Sequence, residues 1–356
     1  MSKPEPVASR ALRQISNLDD VYDRLQPEAL RRRLESLRPA AGGGLESRLE
    51  TTELARPRSG PGLPEEMAAD GRSAIAKVKK DKAAARLSPR EESALEAIVL
   101  LEGRPALLIR NGRFEAPPPE WASLETHRAA IEAQLGRVGR IEVTGHPSLD
   151  WIGTGFLVAD DVVMTNRHVA KEFSKRAGAS WSFEAGMKPR IDYAEELGSS
   201  KPLEYALSSV IGIHEKFDMA LLRVARKGGG GAKLPKPLVL AKKPAVKAGV
   251  SVLAVGYPAW DGRRNEPQPM SRIFHDIYNV KRLQPGKVTK VSAAQKQFDH
   301  DCSTLGGNSG SCILDLDTAT VVGLHFQGRY LQGNQAILLS KLQGDALLKR
   351  AKVAFA

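Results

Sequence analysis

The pattern of apolar positions divides the chain into a helical first part and a strand-rich second part. Residues 17–38 carry apolar side chains at helical spacing, which predicts two short amphipathic helices. These positions are Leu18, Val21, Tyr22, Leu25, Leu30, Leu34 and Leu37. We expect no regular structure in the polar residues 1–16, and a flexible linker in the Gly- and Pro-rich stretches around residues 40–66. Residues 1–87 are therefore predicted to form a flexible, partly helical N-terminal extension.

Residues 88–137 predict a small α/β segment that leads into the second part. Ser88, followed by Pro89 and Glu91, has the sequence of a capped helix N-terminus. An Asn-Gly dipeptide at positions 111–112 lies between two short apolar runs and predicts a β-hairpin.

Residues 138–356 have a pattern that is typical of an all-β domain. Between residues 138 and 340, about ten short runs of apolar residues are separated by turns that contain Gly or Pro. Because little helical periodicity lies between them, we expect antiparallel barrels or a sandwich rather than a parallel sheet. The final segment, SKLQGDALLKRAKV, predicts a closing C-terminal helix. The predicted fold class is mainly β, with an α-rich N-terminal extension.

Positive charge is concentrated in the predicted β domain. Of the formal net charge of +12, residues 138–356 contribute +10, from 30 Lys and Arg against 20 Asp and Glu. Such a domain attracts acidic peptides or nucleic acid over long distances. Nucleic acid is the less favoured partner because the chain has no basic helix with interleaved aromatic residues. A basic surface that only confers solubility is the simpler interpretation.

The remaining composition indicates a soluble protein inside the cell. The start, MSKPEPVASRALRQ, lacks the apolar core of a signal peptide, and no later run reaches transmembrane length. The only two cysteines, Cys302 and Cys312, form no disulfide framework, and we interpret them as inert buried thiols, although a disulfide is an alternative. We expect a cytoplasmic protein that contacts no membrane and needs neither a metal nor a cofactor.

Three polar residues suggest nucleophilic catalysis. His168 ends the strand predicted for DVVMTNRHV, and Asp218 opens a later apolar strand, where a carboxylate needs a hydrogen-bond donor such as an imidazole. Ser309 lies in the loop STLGGNSGSCI. A serine nucleophile needs a base, the base needs an orienting carboxylate, and the oxyanion needs fixed donors, here the N–H groups of Gly307 and Ser309. A plain turn is the alternative explanation of this loop.

The chain resembles the trypsin-like (chymotrypsin-fold) serine proteases, and within them the bacterial branch that includes the glutamyl endopeptidases. The motifs GTGFLV, TNRHV, DMALLRV, GYP, STLGGNSGS and VVGLHFQG carry the resemblance, which covers about residues 140–340. It implies a double antiparallel β-barrel with the triad in the cleft between the barrels. It also implies that His168 is the general base and acid, that Asp218 orients it, and that Ser309 is the nucleophile.

The same resemblance suggests a specificity pocket. The residues implied to bind substrate are Ser303, Thr304, Leu305, His325, Phe326, Gln327 and Gly328. Ser303 stands where trypsin-type enzymes carry an Asp, which argues against a preference for Arg or Lys. Thr304 and His325 match the pair that holds the substrate carboxylate in glutamyl endopeptidases. Alternatively, His325 packs on its strand and only shapes a small neutral pocket.

Asn308 departs from the pancreatic enzymes, which carry an Asp before the nucleophile. An Asn cannot pair with a freshly cut N-terminal ammonium, so activation through that ion pair is not expected.

We therefore predict a serine endopeptidase that hydrolyses proteins or peptides, with a preference for Glu, and more weakly Asp, before the scissile bond. The main alternative is a catalytically silent binding module that acts through its N-terminal helices. Residues 17–38 are a candidate docking site for a partner protein. Glu65 and Glu66, placed at the end of the predicted linker, are a candidate self-processing site, through which the N-terminal segment would restrain or recruit the protease.

Overall fold

The computed structural model describes residues 7–15, 18–26, 63–92, 94–95, 103–259, 277–329 and 333–356. The chain forms two compact units. The first comprises Met1–Pro105, Pro118–Trp121 and Asn265–Asp276, and the second comprises Ala106–Pro117, Ala122–Arg264 and Ile277–Ala356. No helix in these described parts has both the length and the apolar character needed to cross a membrane.

The first unit is built from helices that share one apolar core. Their bounds are α1 (Val7–Gln14), α2 (Leu18–Arg24) and α3 (Leu63–Asp81), and residues 89–92 and 94–95 are also helical. The core includes Ala11, Val21, Ile75, Val78 and Leu95. Helix α2 confirms the first of the two helices predicted in residues 17–38, and the second lies outside the described residues.

The expectation of no regular structure in residues 1–16 is wrong for helix α1. Ala8, Ala11 and Ile15 recur at helical spacing and are at most 4% exposed. Two of these three residues are alanines, whose small side chains form an apolar helical face without making the segment look hydrophobic.

Helix α3 corrects the prediction of a linker before residue 66. Residues 56–62 lie outside the described residues, but Leu63 begins the helix, and Glu65 and Glu66 lie in its first turn. Acidic residues are favoured there because a helix N-terminus carries partial positive charge. Glu65 and Glu66 therefore belong to a helix and not to an open linker.

The capped helix start predicted at Ser88 is confirmed. Ser88 Oγ accepts a hydrogen bond from the Glu91 N–H (3.3 Å), and the Glu91 carboxylate accepts one from the Ser88 N–H (2.8 Å). The same carboxylate accepts hydrogen bonds from Lys77 Nζ (2.7 Å) and Ser73 Oγ (2.6 Å) of α3. These bonds, the one from Lys77 foremost, lower the pKa of Glu91 from 4.5 to about 2.

The second unit opens with the predicted hairpin, β1 (Leu107–Arg110) and β2 (Arg113–Phe114). Asn111 and Gly112 have φ angles of 51° and 72°, as a type I′ turn requires. Two short helices follow, α4 (Ser123–Thr126) and α5 (Arg128–Leu135).

Six antiparallel strands close the first barrel. They are β3 (Val138–Thr144), β4 (Trp151–Ala159), β5 (Val162–Thr165), β8 (Lys188–Asp192), β9 (Glu204–Ile213) and β10 (Ala220–Val224). The barrel order is β10-β5-β4-β3-β8-β9. Helix α6 (Arg167–Lys171) and the hairpin β6 (Ser174–Ala177) and β7 (Ser180–Phe183) lie between β5 and β8 in the chain. Inward side chains such as Ile141, Leu157 and Leu222 fill the core.

The second barrel also has six antiparallel strands. They are β11 (Ser251–Gly256), β12 (Arg282–Ser292), β13 (Gln297–His300), β14 (Cys312–Asp315), β15 (Val321–Arg329) and β16 (Gly333–Leu338). The order β11-β14-β15-β16-β13-β12 closes through the pairing of β11 with β12, and β1 extends the sheet by pairing with β12. Val252, Phe298 and Ile313 lie in the core.

The chain ends in helix α7 (Ala346–Arg350), whose N-cap Asp345 accepts hydrogen bonds from the Leu347 and Leu348 N–H groups. The predicted fold class, a double antiparallel β-barrel with N-terminal helices and a C-terminal helix, is therefore confirmed. The domain boundaries predicted after residues 87 and 137 stay predictions.

Candidate active site

His168 lies in a short helix and not at the end of a strand, which corrects the sequence-based placement. Strand β5 ends at Thr165, Asn166 keeps an extended backbone, and His168 is the second residue of α6. A helix of five residues directly after a strand is too short to be recognised by its apolar spacing. The His168 side chain is 49% exposed.

Asp218 binds His168 twice. Its Oδ2 lies 2.6 Å from His168 Nδ1, and its Oδ1 accepts a hydrogen bond from the His168 N–H (3.0 Å). Burial raises the pKa of the Asp218 carboxyl, but the hydrogen bond and charge of His168 lower it by more, so the pKa lies below its usual value. Asp218 is therefore ionised at neutral pH, and His168 Nδ1 is the donor, which leaves Nε2 to exchange protons.

The turn that carries Asp218 is held from several sides. Asn166 Nδ2 donates a hydrogen bond to the Asp218 carbonyl (2.9 Å), and Arg167 Nη1 donates one to the Glu215 carbonyl (2.7 Å). His214 Nδ1 accepts the N–H groups of residues 216 and 217, each at 3.0 Å. These contacts fix the carboxylate before any substrate arrives.

The Ser309 loop is anchored to both barrels. The Ser309 carbonyl accepts a hydrogen bond from the Thr154 N–H of the first barrel (2.8 Å), and the Gly310 N–H donates one to the His325 carbonyl of the second (3.1 Å). A Cβ atom on Gly153 would lie 2.8 Å from the Ser309 carbonyl oxygen and 2.9 Å from a Val169 methyl group. Gly153 thus lets the Ser309 backbone approach the helix that carries His168.

The side chains of Ser309 and His168 are not hydrogen-bonded to each other in this structure. Ser309 Oγ makes no hydrogen bond with any residue of the described ranges. Catalytic hydrogen bonds are often long in proteins without substrate and tighten when substrate binds. The structure therefore joins His168 to Asp218 directly, whereas the second link of a triad, from His168 to Ser309, is not formed.

The two predicted oxyanion donors lie in a 3₁₀ turn, Gly306–Asn308, that ends at Ser309. Within such a turn each N–H is directed toward the carbonyl three residues earlier, and the Asn308 N–H donates to the Leu305 carbonyl (3.1 Å). Gly307 has no room for a side chain, because a Cβ would overlap the Trp151 ring and the Tyr257 carbonyl. The predicted donors therefore belong to a hydrogen-bonded turn and not to an open loop.

Asn308 is fully buried in this loop. Its Oδ1 accepts a hydrogen bond from Ser311 Oγ (3.3 Å), and among the described residues its Nδ2 has no partner. The two cysteines that flank the loop are buried free thiols, and burial raises the pKa of Cys312 to about 12.

The predicted pocket residues lie on two neighbouring segments. Thr304 Oγ1 donates a hydrogen bond to Asn334 Oδ1 (2.6 Å), and a Cβ on Gly328 would lie 3.2 Å from the same Thr304 oxygen. Ser303 and Leu305 are half-buried, as are Phe326 and Gln327. Residues 303–305 and 325–328 are thereby brought together, with Gly328 opposite Thr304.

His300 is a residue that sequence reasoning missed. It is fully buried on β13, and its Nε2 lies 3.2 Å from Nδ1 of His325, which is 2% exposed. Burial lowers the pKa of His300 to about 3 and, together with His300, lowers the pKa of His325 well below 6.5. The alternation of buried Phe298 and His300 along the strand is the signal that could have identified it.

The hydrogen-bond partners of the ring nitrogens determine which of the two histidines is the donor. His300 Nδ1 is buried and has no partner among the described residues. A proton on that nitrogen would leave a buried N–H unsatisfied, whereas a bare acceptor is tolerated better. His300 therefore carries its proton on Nε2 and donates it to His325 Nδ1, which leaves the His325 proton on Nε2.

One acidic trio in the described chain has the spacing of metal ligands: Glu142, Asp192 and Glu195 offer oxygens within 4.8 Å of one another. Arg140 and Arg190 each form an ion pair with Glu142 at 2.5 Å, and Arg140 also reaches Glu195 at 3.3 Å. Guanidinium groups already neutralise Glu142 and Glu195, and Asp192 accepts hydrogen bonds from the Ala194 and Leu203 N–H groups, so we assign no metal role to the trio.

Comparison with known proteins agrees with this geometry. The family described as "Trypsin-like peptidase domain" matches residues 153–324, which include His168, Asp218 and Ser309. The chain contains a trypsin-like peptidase domain. Proteins with this domain are trypsin-like serine proteases, which are hydrolases that act on peptides or proteins.

Several curated proteins are similar to this trypsin-like chain. A Lysobacter enzymogenes protein named "Probable serine protease" is 28% identical over 73% of this chain and 76% of its own length. A "Glutamyl endopeptidase" of Staphylococcus epidermidis is 22% identical over 53% of this chain and 58% of its own length. The serine protease Rv3671c of Mycobacterium tuberculosis is 28% identical over 48% of this chain and 38% of its own length.

Two solved structures are also similar. A serine endoprotease from Yersinia pestis has a TM-score of 0.44 and 14% identity, over 67% of this chain and 68% of that chain. An inactive mutant of Rv3671c has a TM-score of 0.40 and 21% identity, over 67% of this chain and 95% of that chain.

Proposed function

We propose that this trypsin-like chain is a serine endopeptidase that uses His168, Asp218 and Ser309 as its catalytic triad. The observation that carries the proposal is the 2.6 Å contact between His168 Nδ1 and the ionised Asp218 carboxylate. His168 Nε2 takes the proton of Ser309 Oγ as that oxygen attacks the peptide carbonyl, and Asp218 stabilises the imidazolium. His168 then returns the proton to the leaving amine, and water completes hydrolysis by the reverse sequence.

Substrate binding must also reorganise the Ser309 loop. The developing oxyanion needs the N–H groups of Gly307 and Ser309, so the 3₁₀ turn has to open around it.

Labelling with a serine-reactive fluorophosphonate tests this proposal. We expect the full chain to be labelled and to cleave peptides, and Ser309→Ala to abolish labelling. His168→Ala should reduce cleavage by about three or more orders of magnitude, because triad members act as a unit. Ser208→Ala, at an exposed serine whose Oγ only donates to the Arg223 carbonyl, is the matched control and should behave as the parent. Unchanged labelling of Ser309→Ala would mean that another residue is the nucleophile.

A catalytically silent binding module is the second candidate. The 3₁₀ turn and the unbonded Ser309 hydroxyl favour it, since both describe a site that is not assembled. The same labelling experiment distinguishes the enzyme from the silent module. A folded chain that the probe does not label supports the silent module.

We further propose that the enzyme prefers Glu, and more weakly Asp, before the scissile bond. Support comes from His325 and Thr304, which lie on the two neighbouring pocket segments, and from the tautomer that leaves an N–H on His325 Nε2. A carboxylate is the acceptor that the His325 N–H suits, and Thr304 would join it by exchanging its hydrogen bond with Asn334 Oδ1. Profiling on a peptide library should show cleavage after Glu, and His325→Ala should lose this preference. Cleavage mainly after large apolar residues or after Arg and Lys would overturn the proposal.

A further inference from the structure

A groove lies between strand β9 of the first barrel and the C-terminal segment, apart from the residues of the predicted specificity pocket. Its volume is about 650 Å³, within the size range of ligand-binding sites. Its floor is β9 from Val210 to Ile213, one wall is the β6–β7 hairpin, and the other is formed by α7 and the 3₁₀ turn Leu339–Leu342. The turn from His214 to Phe217, which leads to Asp218, closes one end.

Positive charge dominates the lining of this groove. Its five cationic side chains belong to Arg176, Lys216, Lys296, Lys341 and Arg350. None of them forms an ion pair with a carboxylate in the described parts of the chain. Such a set of unneutralised cations attracts an anionic ligand.

The two acidic residues of the lining do not cancel this charge. Asp345 already caps α7 and lies 3.0 Å from His214 Nε2. Burial raises the pKa of Asp345, but its hydrogen bonds from His214 and from the Leu348 N–H lower it by more, so it stays ionised and occupied. Glu215 is therefore the one acidic side chain of the lining that can offset the charge of the five cations.

The distribution of groups identifies the class of ligand. The cations come from five different segments of the chain, so a ligand that carries several negative charges can contact more of them than a single small anion can. Apolar side chains of Val210, Ile213 and Leu347 lie between them. A ligand that alternates carboxylates with apolar groups fits this arrangement, and an acidic peptide has that chemistry.

Nucleic acid fits the groove less well. Single strands bind by stacking bases on open aromatic faces. Each of the two aromatic rings of the lining already has a cation over one face: Arg176 lies 5.6 Å from the Trp181 ring centroid, and Lys296 lies 5.8 Å from that of Phe217. We propose that this groove is an exosite that binds an extended acidic peptide segment of another protein.

The test uses the full chain with Ser309→Ala, so that binding is measured without cleavage and independently of the proposed catalysis. The probe is a fluorescein-labelled peptide of alternating Asp and Leu, followed by fluorescence anisotropy at low and high salt. Its uncharged twin contains Asn in place of Asp, and a single-stranded oligonucleotide of equal charge is the third ligand. We expect the Asp–Leu peptide to bind more tightly than both and to weaken with salt.

Charge reversal locates the binding. The groove variant Lys216→Glu with Lys341→Glu changes two exposed side chains that have no partner in the described chain, and should weaken binding by about tenfold or more. The control, Lys227→Glu with Lys233→Glu, makes the same charge change at exposed positions outside the groove, and should change the affinity by about twofold or less. Circular dichroism should show unchanged folding in both. The proposal would be overturned if both variants lost affinity equally, or if the groove variant bound the peptide as tightly as the parent. It would also be overturned if the Asn twin bound equally well, or if the oligonucleotide bound more tightly and its binding depended on the groove.

Discussion

At the scale of single residues, the site depends on how buried polar groups are satisfied. Asp218 keeps its charge because His168 supplies two hydrogen bonds, whereas His300 and His325 stay neutral because burial offers them no anion. A neutral histidine can donate in a chosen direction only when its other nitrogen is fixed. On this argument His300 is a positioning residue that sets the proton of His325.

Substitution of His300 tests this positioning role. We expect His300→Leu to lower kcat/KM for substrates with Glu before the scissile bond by about tenfold, because a lost hydrogen bond to a buried group costs on the order of 1–3 kcal/mol. Cleavage of matched Gln substrates should change less. His300→Gln keeps an N–H donor and should restore part of the Glu preference. Equal losses on both substrates, without rescue, would assign His300 a structural role only.

Protonation of His300 has a further consequence, for stability. Its pKa falls from 6.5 in the unfolded chain to about 3 in the fold, so the unfolded state binds more protons between these values. This histidine therefore contributes stability above pH 6.5 that is lost as the pH falls toward 3. The thermal midpoint of the second unit should decline less in His300→Gln than in the parent over this window.

At the scale of elements, Glu91 links the helix that begins after Ser88 to α3 through hydrogen bonds. Glu91→Gln should lower the unfolding midpoint of the first unit at neutral pH, because Lys77 then loses its anionic partner. The depressed pKa adds stability above about pH 4.5 that is lost as the pH falls through about 2. The difference between parent and variant should therefore shrink in acid. Glu92→Gln, at the exposed neighbouring position, is the control, and an equal effect there would contradict the assignment.

The success of sequence reasoning differed between elements for physical reasons. Strands such as β4 and β11 were predictable because most of their residues are buried and apolar. The hairpin β6–β7 was missed because its side chains are mostly exposed or half-buried, so no apolar run marks it. Strand β13 was also missed, because it alternates half-buried and buried residues and its sequence, QFDH, is mostly polar. The residues His168, Asp218 and Ser309 could be named from their motifs, but the 3₁₀ turn beside Ser309 depends on packing against Trp151 and Thr154.

At the scale of the whole molecule, the chain combines a helical unit with a protease unit that carries most of the net charge. A partner protein was predicted to dock on residues 17–38, but the apolar side chains of the first part of this segment are already packed within the helical unit. Leu18, Tyr22 and Leu25 pack against the core of the helical unit itself. A partner would have to use residues 27–38, which lie outside the described chain, or displace this packing.

Self-processing after Glu65 or Glu66 also depends on the helical unit. Proteases bind extended segments, so a bond inside a packed helix is cut only after local unfolding. Both glutamates lie in the first turn of α3, and the same helix buries Ala74, Ile75 and Val78 in the core. If the protease prefers Glu, the stability of α3 therefore controls access to this pair.

Unpacking α3 tests that control. We expect the parental chain to resist cutting after Glu65 and Glu66, and Ile75→Asp to be cut there, because a buried charge loosens the helix. Ala76→Asp places the same charge at an exposed neighbouring position and should stay intact. Mass spectrometry of the incubated proteins locates the cuts, and Ser309→Ala added to Ile75→Asp should prevent them. Equal cutting of the parent, or cuts of Ile75→Asp that persist without Ser309, would show that α3 does not guard a self-processing site.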